Sequence, residues 1–154
     1  MYDWEAMVAS GFMQTTPLYT KFDFVDWIWD VCIMEPKGEQ LAIGTAHNTV
    51  VLWNTVSSKP LRIVCGKQRC ILYSMSLLPI EDDLLVASGT VFTEVHIWRL
   101  SDASHPFVCK GHKGVIFKVR WNADGRYLLS VSDDRTVIVW RNASSSLSWW
   151  EFHP

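Results

Sequence analysis

A recurring tryptophan constrains this chain more than any other feature. Trp53, Trp98 and Trp140 stand 45 and 42 residues apart, and each closes a group of short apolar or alternating runs separated by turn residues. The clearest group runs from Gly111 to Trp140. Val115 to Trp121 forms its first run and Asn122-Ala123-Asp124-Gly125 turns the chain. Tyr127 to Ser132 is the second run, Asp133-Asp134-Arg135 turns again, and Thr136 to Trp140 is the third. Asp-Gly supplies the positive φ of a tight hairpin, and β-branched and aromatic residues fill the runs. The stretch predicts a three-stranded antiparallel meander. The same reading gives strands from Asp26 and over 40–45, 49–53 and 60–65 around Trp53. It gives 71–78, 84–90, 95–100 and 107–110 around Trp98, with a turn across Pro79 to Asp83.

Gly111-His112, a serine-bearing second strand, Asp134-x-Thr136 and a closing Trp140 resemble one blade of a WD-repeat β-propeller, whose period is about 40–45 residues. The resemblance implies that His112, Ser130, Asp134 and Trp140 form a buried hydrogen-bonded chain fixing the preceding loop onto the third strand. Arg141 follows the tryptophan where such blades often carry Asp. The expected fold is therefore all-β: a WD-repeat β-propeller of about three four-stranded blades, a partial propeller. Its expected organisation is an N-terminal segment 1–21, read as either a short helix or an outer strand of a preceding blade, and three blades at 22–66, 67–110 and 111–142. A tail, 143–154, follows without a further blade's pattern.

Six residues before each tryptophan stand His47, Phe92 and Asp134, so the blade aspartate is present only in the third unit. Gly-His is likewise missing before the first two units, which predicts that packing rather than the polar chain holds them. The unusual residues carry a closer resemblance. DWIWDV (26–31), TAHNTVVLW (45–53), SGTVFTEVHIW (88–98) and GHKGVIFKV (111–119), in that order, resemble the N-terminal propeller of a eukaryotic family. That family is the WD-repeat partner subunit of the tRNA wobble-position ribose 2′-O-methyltransferase. The resemblance implies a non-catalytic subunit that positions tRNA, whole or by its anticodon arm, for a methyltransferase subunit, which binds S-adenosylmethionine and performs the transfer. The competing expectation is a general WD-repeat scaffold for protein partners, with Phe92, His47 or Trp149-Trp150 as contacts; fold alone does not say which.

The residues add exclusions. Net charge is −2, with seven acids and two bases in 1–50 but nine acids and twelve bases in 51–154, so no overall field draws the chain to nucleic acid or membrane. Cys32, Cys65, Cys70 and Cys109 lack C-x-x-C spacing and lie in apolar runs, which predicts reduced, buried thiols and no metal site. The start carries no secretory pattern and no apolar run spans a bilayer, so a cytoplasmic place is expected, with no membrane partner. Dinucleotide, phosphate-loop, zincin and nucleophile-elbow motifs are absent, and no cofactor is expected. Ser130, His112 and Asp134 match the residue types of a hydrolytic triad, but the blade chain accounts for them. Glu81-Asp82-Asp83 and Asp133-Asp134 read as turn residues rather than metal ligands. Lys67, Arg69 and Lys113 fall in loops that a propeller gathers on one face, making them candidate RNA or partner contacts. Three blades do not close a ring of four to eight. Further blades or another chain are therefore expected to complete it, and the isolated chain is expected to be oligomeric or poorly soluble.

Overall fold

The computed structural model describes residues 26–34, 38–67, 70–104 and 107–142, and the backbone of 152–153. Expectations for 1–21, Arg69, Trp149 and Trp150 lie outside the described residues. Every regular element among the described residues is a strand. The first sheet holds β1 (Ile28–Met34), β2 (Gln40–Thr45), β3 (Thr49–Asn54) and β4 (Lys59–Cys65). The second holds β5 (Leu72–Ile80), β6 (Asp83–Thr90), β7 (Glu94–Arg99) and β8 (Phe107–Lys110). The third holds β9 (Ile116–Trp121), β10 (Tyr127–Ser132), β11 (Val137–Asn142) and β12 (Phe152–His153). Each is an antiparallel meander in chain order, the architecture of three four-stranded blades.

The register is the same in all three. Trp53 pairs with Leu41, Trp98 with Val86 and Trp140 with Leu128, in each case the residue twelve positions back. All three indoles are at most 3% exposed. Trp98 packs with Ala42, Val50 and Val64 of the first sheet, so it seals the junction between sheets one and two. Trp140 packs with Leu85, Ala87, Val95 and Ile97 of the second sheet and seals the next. Trp53 sits on the far face of the first sheet with Ile43 and Val51. Alternate residues of each strand point to opposite faces, so each sheet presents one apolar face forward and one back.

Glycine brings the sheets close at two equivalent places. A Cβ on Gly44 would meet the Leu72 and Met75 side chains at 3.1 Å, and one on Gly89 would meet Ile116 at 2.9 Å and Val119 at 3.2 Å. Leu72 and Met75 precede Ile116 and Val119 by 44 residues each. The same inner-strand pair thus nests on the same glycine at both junctions.

Three expectations need correcting. The turn placed at Pro79 to Asp83 is shorter, because β5 runs through Pro79, which pairs with Leu84, to Ile80. An edge strand tolerates proline, since its missing N–H faces away from the ladder. The 143–154 tail supplies the third sheet's fourth strand, with Arg141 opposite His153 and Asn142 opposite Phe152. Two residues are too few to print an alternating pattern in the sequence. Finally, Cys70 and Cys109 are buried, but Cys65 is exposed.

Candidate functional site

The turns β2–β3, β6–β7 and β10–β11 and the loops entering β5 and β9 share one end of the stack. A repeated backbone bond ties each turn to the start of its own inner strand: Ala46 N to Trp27 O, Val91 N to Ile71 O, and Asp133 N to Val115 O. This end holds most of the unusual residues, and its two inter-sheet junctions are built differently.

At the second junction the loop is locked. Trp140 Nε1–H donates to Ser130 Oγ at 2.8 Å, Ser130 Oγ lies 2.7 Å from His112 Nε2, and His112 Nδ1 lies 2.9 Å from Asp134 Oδ2. Donor inventory orders the chain: the indole fills the serine acceptor, the serine O–H turns to Nε2, and Nδ1–H goes to the carboxylate. Asp134 also accepts the Lys113 backbone N–H at 2.8 Å. Hydrogen bonds from the Thr136 hydroxyl, then from Lys113 and His112, hold its carboxyl well below the usual range against the upward push of burial. Ser130 and His112 meet at the distances of a hydrolytic relay, yet Ser130 is fully buried and His112 only 6% exposed. A nucleophile enclosed beneath an indole has no access to a substrate carbonyl, so the arrangement is a strut.

The first junction keeps half of that strut. Trp98 Nε1–H donates to Ser88 Oγ at 3.1 Å, so the second blade is not held by packing alone. Gln68 stands 44 residues before His112, at the loop histidine's place. Asn48, buried in the β2–β3 turn at φ 55°, places its Oδ1 3.5 Å from Ser88 Oγ. In the first blade the serine position is Ile43. The residues at the aspartate position face solvent: Phe92 is 57% exposed and the His47 side chain 85%. The first junction opens into a cleft of about 660 Å³ lined by His47, Thr49, Gly66, Lys67, Ile71 and Phe92, with Cys65 and Cys70. Asp26 accepts the His47 backbone N–H at 2.8 Å and faces its Nδ1 at 2.9 Å. Burial raises the Asp26 carboxyl, but these bonds outweigh it and bring the carboxyl down to about 2.

The inner strands carry a second constellation that the tryptophan spacing does not reveal. Pairing skips Trp29 in β1 and Tyr73 in β5, and the register shifts at Phe117 in β9. A β-bulge re-aims the side chain it carries, and these three aromatics, each 44 residues from the last, form one ladder. Trp29 and Tyr73 centroids are 4.7 Å apart and Tyr73 and Phe117 6.1 Å, all edge to face, with Trp27 6.3 Å from Trp29. The next residue in each strand is polar. Asp30 accepts Ser74 Oγ–H, Met75 N–H and Lys118 Nζ–H, each at 2.9 Å. Burial pushes the Asp30 carboxyl up, but the Met75, Lys118 and Ser74 bonds prevail and hold it below its ordinary value. One blade further on, Ser74 Oγ accepts Val119 N–H at 3.3 Å, the same bond 44 residues later.

The sequence-based candidates are distributed as follows. Lys67 lines the cleft, and its charge, with that of Arg99, adds to the hydrogen bonds from Ser104 that lower the Asp102 carboxyl. Lys113 lies in the locked loop of the other junction, so the two lysines occupy different inter-sheet loops and share no partner among the described residues. The missed residues are Asn48, Asp30 and the aromatic ladder. The 44-residue recurrence of Trp29, Tyr73 and Phe117 was the available signal. Among the described residues, no group of three or more His, Cys, Asp or Glu side chains converges to hold a metal.

With this geometry in hand, comparisons with known proteins are direct. Residues 104–141 match the family described as WD domain, G-beta repeat. Over 124 residues, 75% of this chain, the sequence is 33% identical to the "tRNA (34-2′-O)-methyltransferase regulator WDR6" of Mus musculus and 32% to that of Bos taurus. The chain spans about a tenth of the length of these relatives, 11%. It is 28% identical over 121 residues to the "F-box-like/WD repeat-containing protein TBL1X" of Mus musculus, covering 71% of this chain and 23% of that one. The solved structure of U3-55K superposes with a TM-score of 0.65 at 17% identity, over 86% of this chain and 40% of that one. A chain of the mitotic checkpoint complex gives 0.63 at 21%, over 82% and 37%. At such identities the two structures speak for the fold. The common register, the His112–Ser130–Trp140 strut and these similarities together place the chain in the WD-repeat family, as three blades of a WD-type β-propeller.

Proposed function

We propose that the chain is a non-catalytic WD-repeat subunit that assists 2′-O-methylation of the wobble ribose of tRNA, acting in the cytoplasm and positioning the tRNA for a partner methyltransferase. The observation that carries this reading is the 124-residue similarity, 32–33% identical, to proteins named as regulators of that methyltransferase. At 75% of the chain, the similarity extends well beyond the single repeat matched at 104–141. The buried strut supports the non-catalytic part, because its only triad-like serine is sealed. The test is to delete the gene, measure 2′-O-methylation at tRNA position 34 by mass spectrometry, and capture the tagged full chain. Lost methylation and recovery of a methyltransferase are expected; unchanged methylation with no methyltransferase recovered refutes the reading. A general protein scaffold is the second reading. It is favoured by the open apolar sheet faces, where Val31, Ile33, Phe117 and Val139 are 48–60% exposed. Capture of other proteins alone supports it.

A further inference from the structure

We propose that the cleft between the first two sheets holds a single unstacked nucleotide of a bound RNA. The inference rests on the tRNA-linked reading above and names the site within it. The cleft lies where the repeat's aspartate position carries other residues in the first two blades. Where Asp134 clamps the loop of the third blade, the second blade has Phe92, with its ring exposed; the first has His47. Asn48 takes the contact to Ser88, so Phe92 is not needed for it, and His47 is tied through its Nδ1 side to Asp26.

The lining suits one class of ligand. Phe92 and Ile71 offer an apolar wall against which a base can stack, and stacking tolerates any base. Lys67 supplies a cation for the adjoining phosphate. Asp26 engages His47 Nδ1, leaving Nε2 as the ring's remaining hydrogen-bonding atom, and the Thr49 hydroxyl, which donates to Cys65 Sγ at 3.4 Å, can still accept. None of the described lining residues is a carboxylate, and the neighbouring Asp26 carboxylate is engaged by His47. The volume, about 660 Å³, lies in the range of small-ligand sites, about 300–1,000 Å³. An aromatic wall, a lysine and two polar side chains in so small a space match a nucleotide better than an extended peptide, which needs a continuous groove.

The test uses the full chain and a short fluorescein-labelled single-stranded oligoadenylate, with binding read by anisotropy. In parallel, capture of the methyltransferase is measured for each variant. Phe92→Ala is expected to weaken the oligonucleotide about tenfold, and Phe92→Trp to restore it. Lys67→Glu is expected to weaken it and to lower the salt slope by about one phosphate contact. Methyltransferase capture is expected to stay at the wild-type level. Phe92 is exposed, so its replacement leaves the core intact. Wild-type oligoadenylate affinity in Phe92→Ala overturns the proposal. So does loss of methyltransferase capture with RNA affinity unchanged, which assigns the cleft to protein. Oligoadenylate binding that depends on Phe92, in a chain whose deletion leaves wobble methylation intact, sinks the proposed function but not the cleft. Methylation that depends on the chain, with binding indifferent to Phe92, does the reverse.

Discussion

Ser130→Ala tests whether the buried polar chain, rather than apolar packing alone, sets the stability of the third blade. Ser130 Oγ is fully buried, accepts Trp140 Nε1–H at 2.8 Å and bonds His112 Nε2 at 2.7 Å. Alanine removes one oxygen and orphans two buried polar atoms. The space left is no larger than a hydroxyl, so water does not replace it. Each unsatisfied group costs about 1–3 kcal/mol. His112 keeps its Asp134 bond, so the combined loss is about 2–4 kcal/mol. Ser88→Ala is the internal control: Ser88 accepts Trp98 at 3.1 Å, but its other contact, to Asn48, stretches to 3.5 Å. Loss of that one indole hydrogen bond predicts about 1–2 kcal/mol there. Urea unfolding of both variants of the full chain, followed by tryptophan fluorescence, reads the difference. In Trp140→Phe, Ser130→Ala is expected to cost less than in the wild type, because one of its orphans is already gone. The reasoning fails if Ser130→Ala costs under about 1 kcal/mol, or no more than Ser88→Ala.

Other outcomes follow from the same geometry. Gly89→Ala drives a Cβ to 2.9 Å from Ile116 and 3.3 Å from its carbonyl oxygen, and is expected to cost about 1–3 kcal/mol in urea unfolding; a neutral result argues against the close approach of sheets two and three. The Asp30 and Asp134 carboxyls lie below their ordinary 3.8, so their contribution is full above that pH and is lost as pH falls through the folded values. Urea midpoints are expected to hold down to about pH 4 and then drop, with a shallower drop in Asp30→Asn; identical profiles exclude Asp30 as a contributor. Cys65 is exposed, whereas burial pushes the Cys70 thiol up to about 11 and Cys109 up to about 12. Iodoacetamide labelling of the native chain is expected to mark Cys65 first, and Cys65→Ser to abolish the fast phase.

The strand pattern was legible because its signals are local. Asp124-Gly125 and the alternating runs specify hairpins without reference to the rest of the chain, and the spacing of Trp53, Trp98 and Trp140 carries the repeat. The cleft was half legible. Phe92 and His47 announced that the aspartate was missing, but nothing in the sequence said that Asn48 would take the histidine's contact to the strand serine beside a cleft. The inner ladder was hidden because each aromatic sits on a bulge, and bulges erase the alternation from which strands are read. Two loose ends were illegible for the opposite reason. The β12 pairing and the passage of β5 through Pro79 depend on which backbone edge is free, a property of the assembled sheet.

The bonds between inner strands give the stack a direction. Asp30 and Ser74 each reach forward and receive an N–H from the following sheet, and Gly44 and Gly89 make room for it. At the equivalent places the third sheet offers Lys118, which has no acceptor and is already turned back to Asp30, and Val131, which has a side chain where its counterparts have none. A further sheet laid on this face therefore finds neither the socket nor the ligature that joined the earlier ones. Head-to-tail copying of the same unit, the route by which open-ended stacks grow into fibres, meets its mismatch at that step, and the third face admits only a neighbour shaped to a different rule.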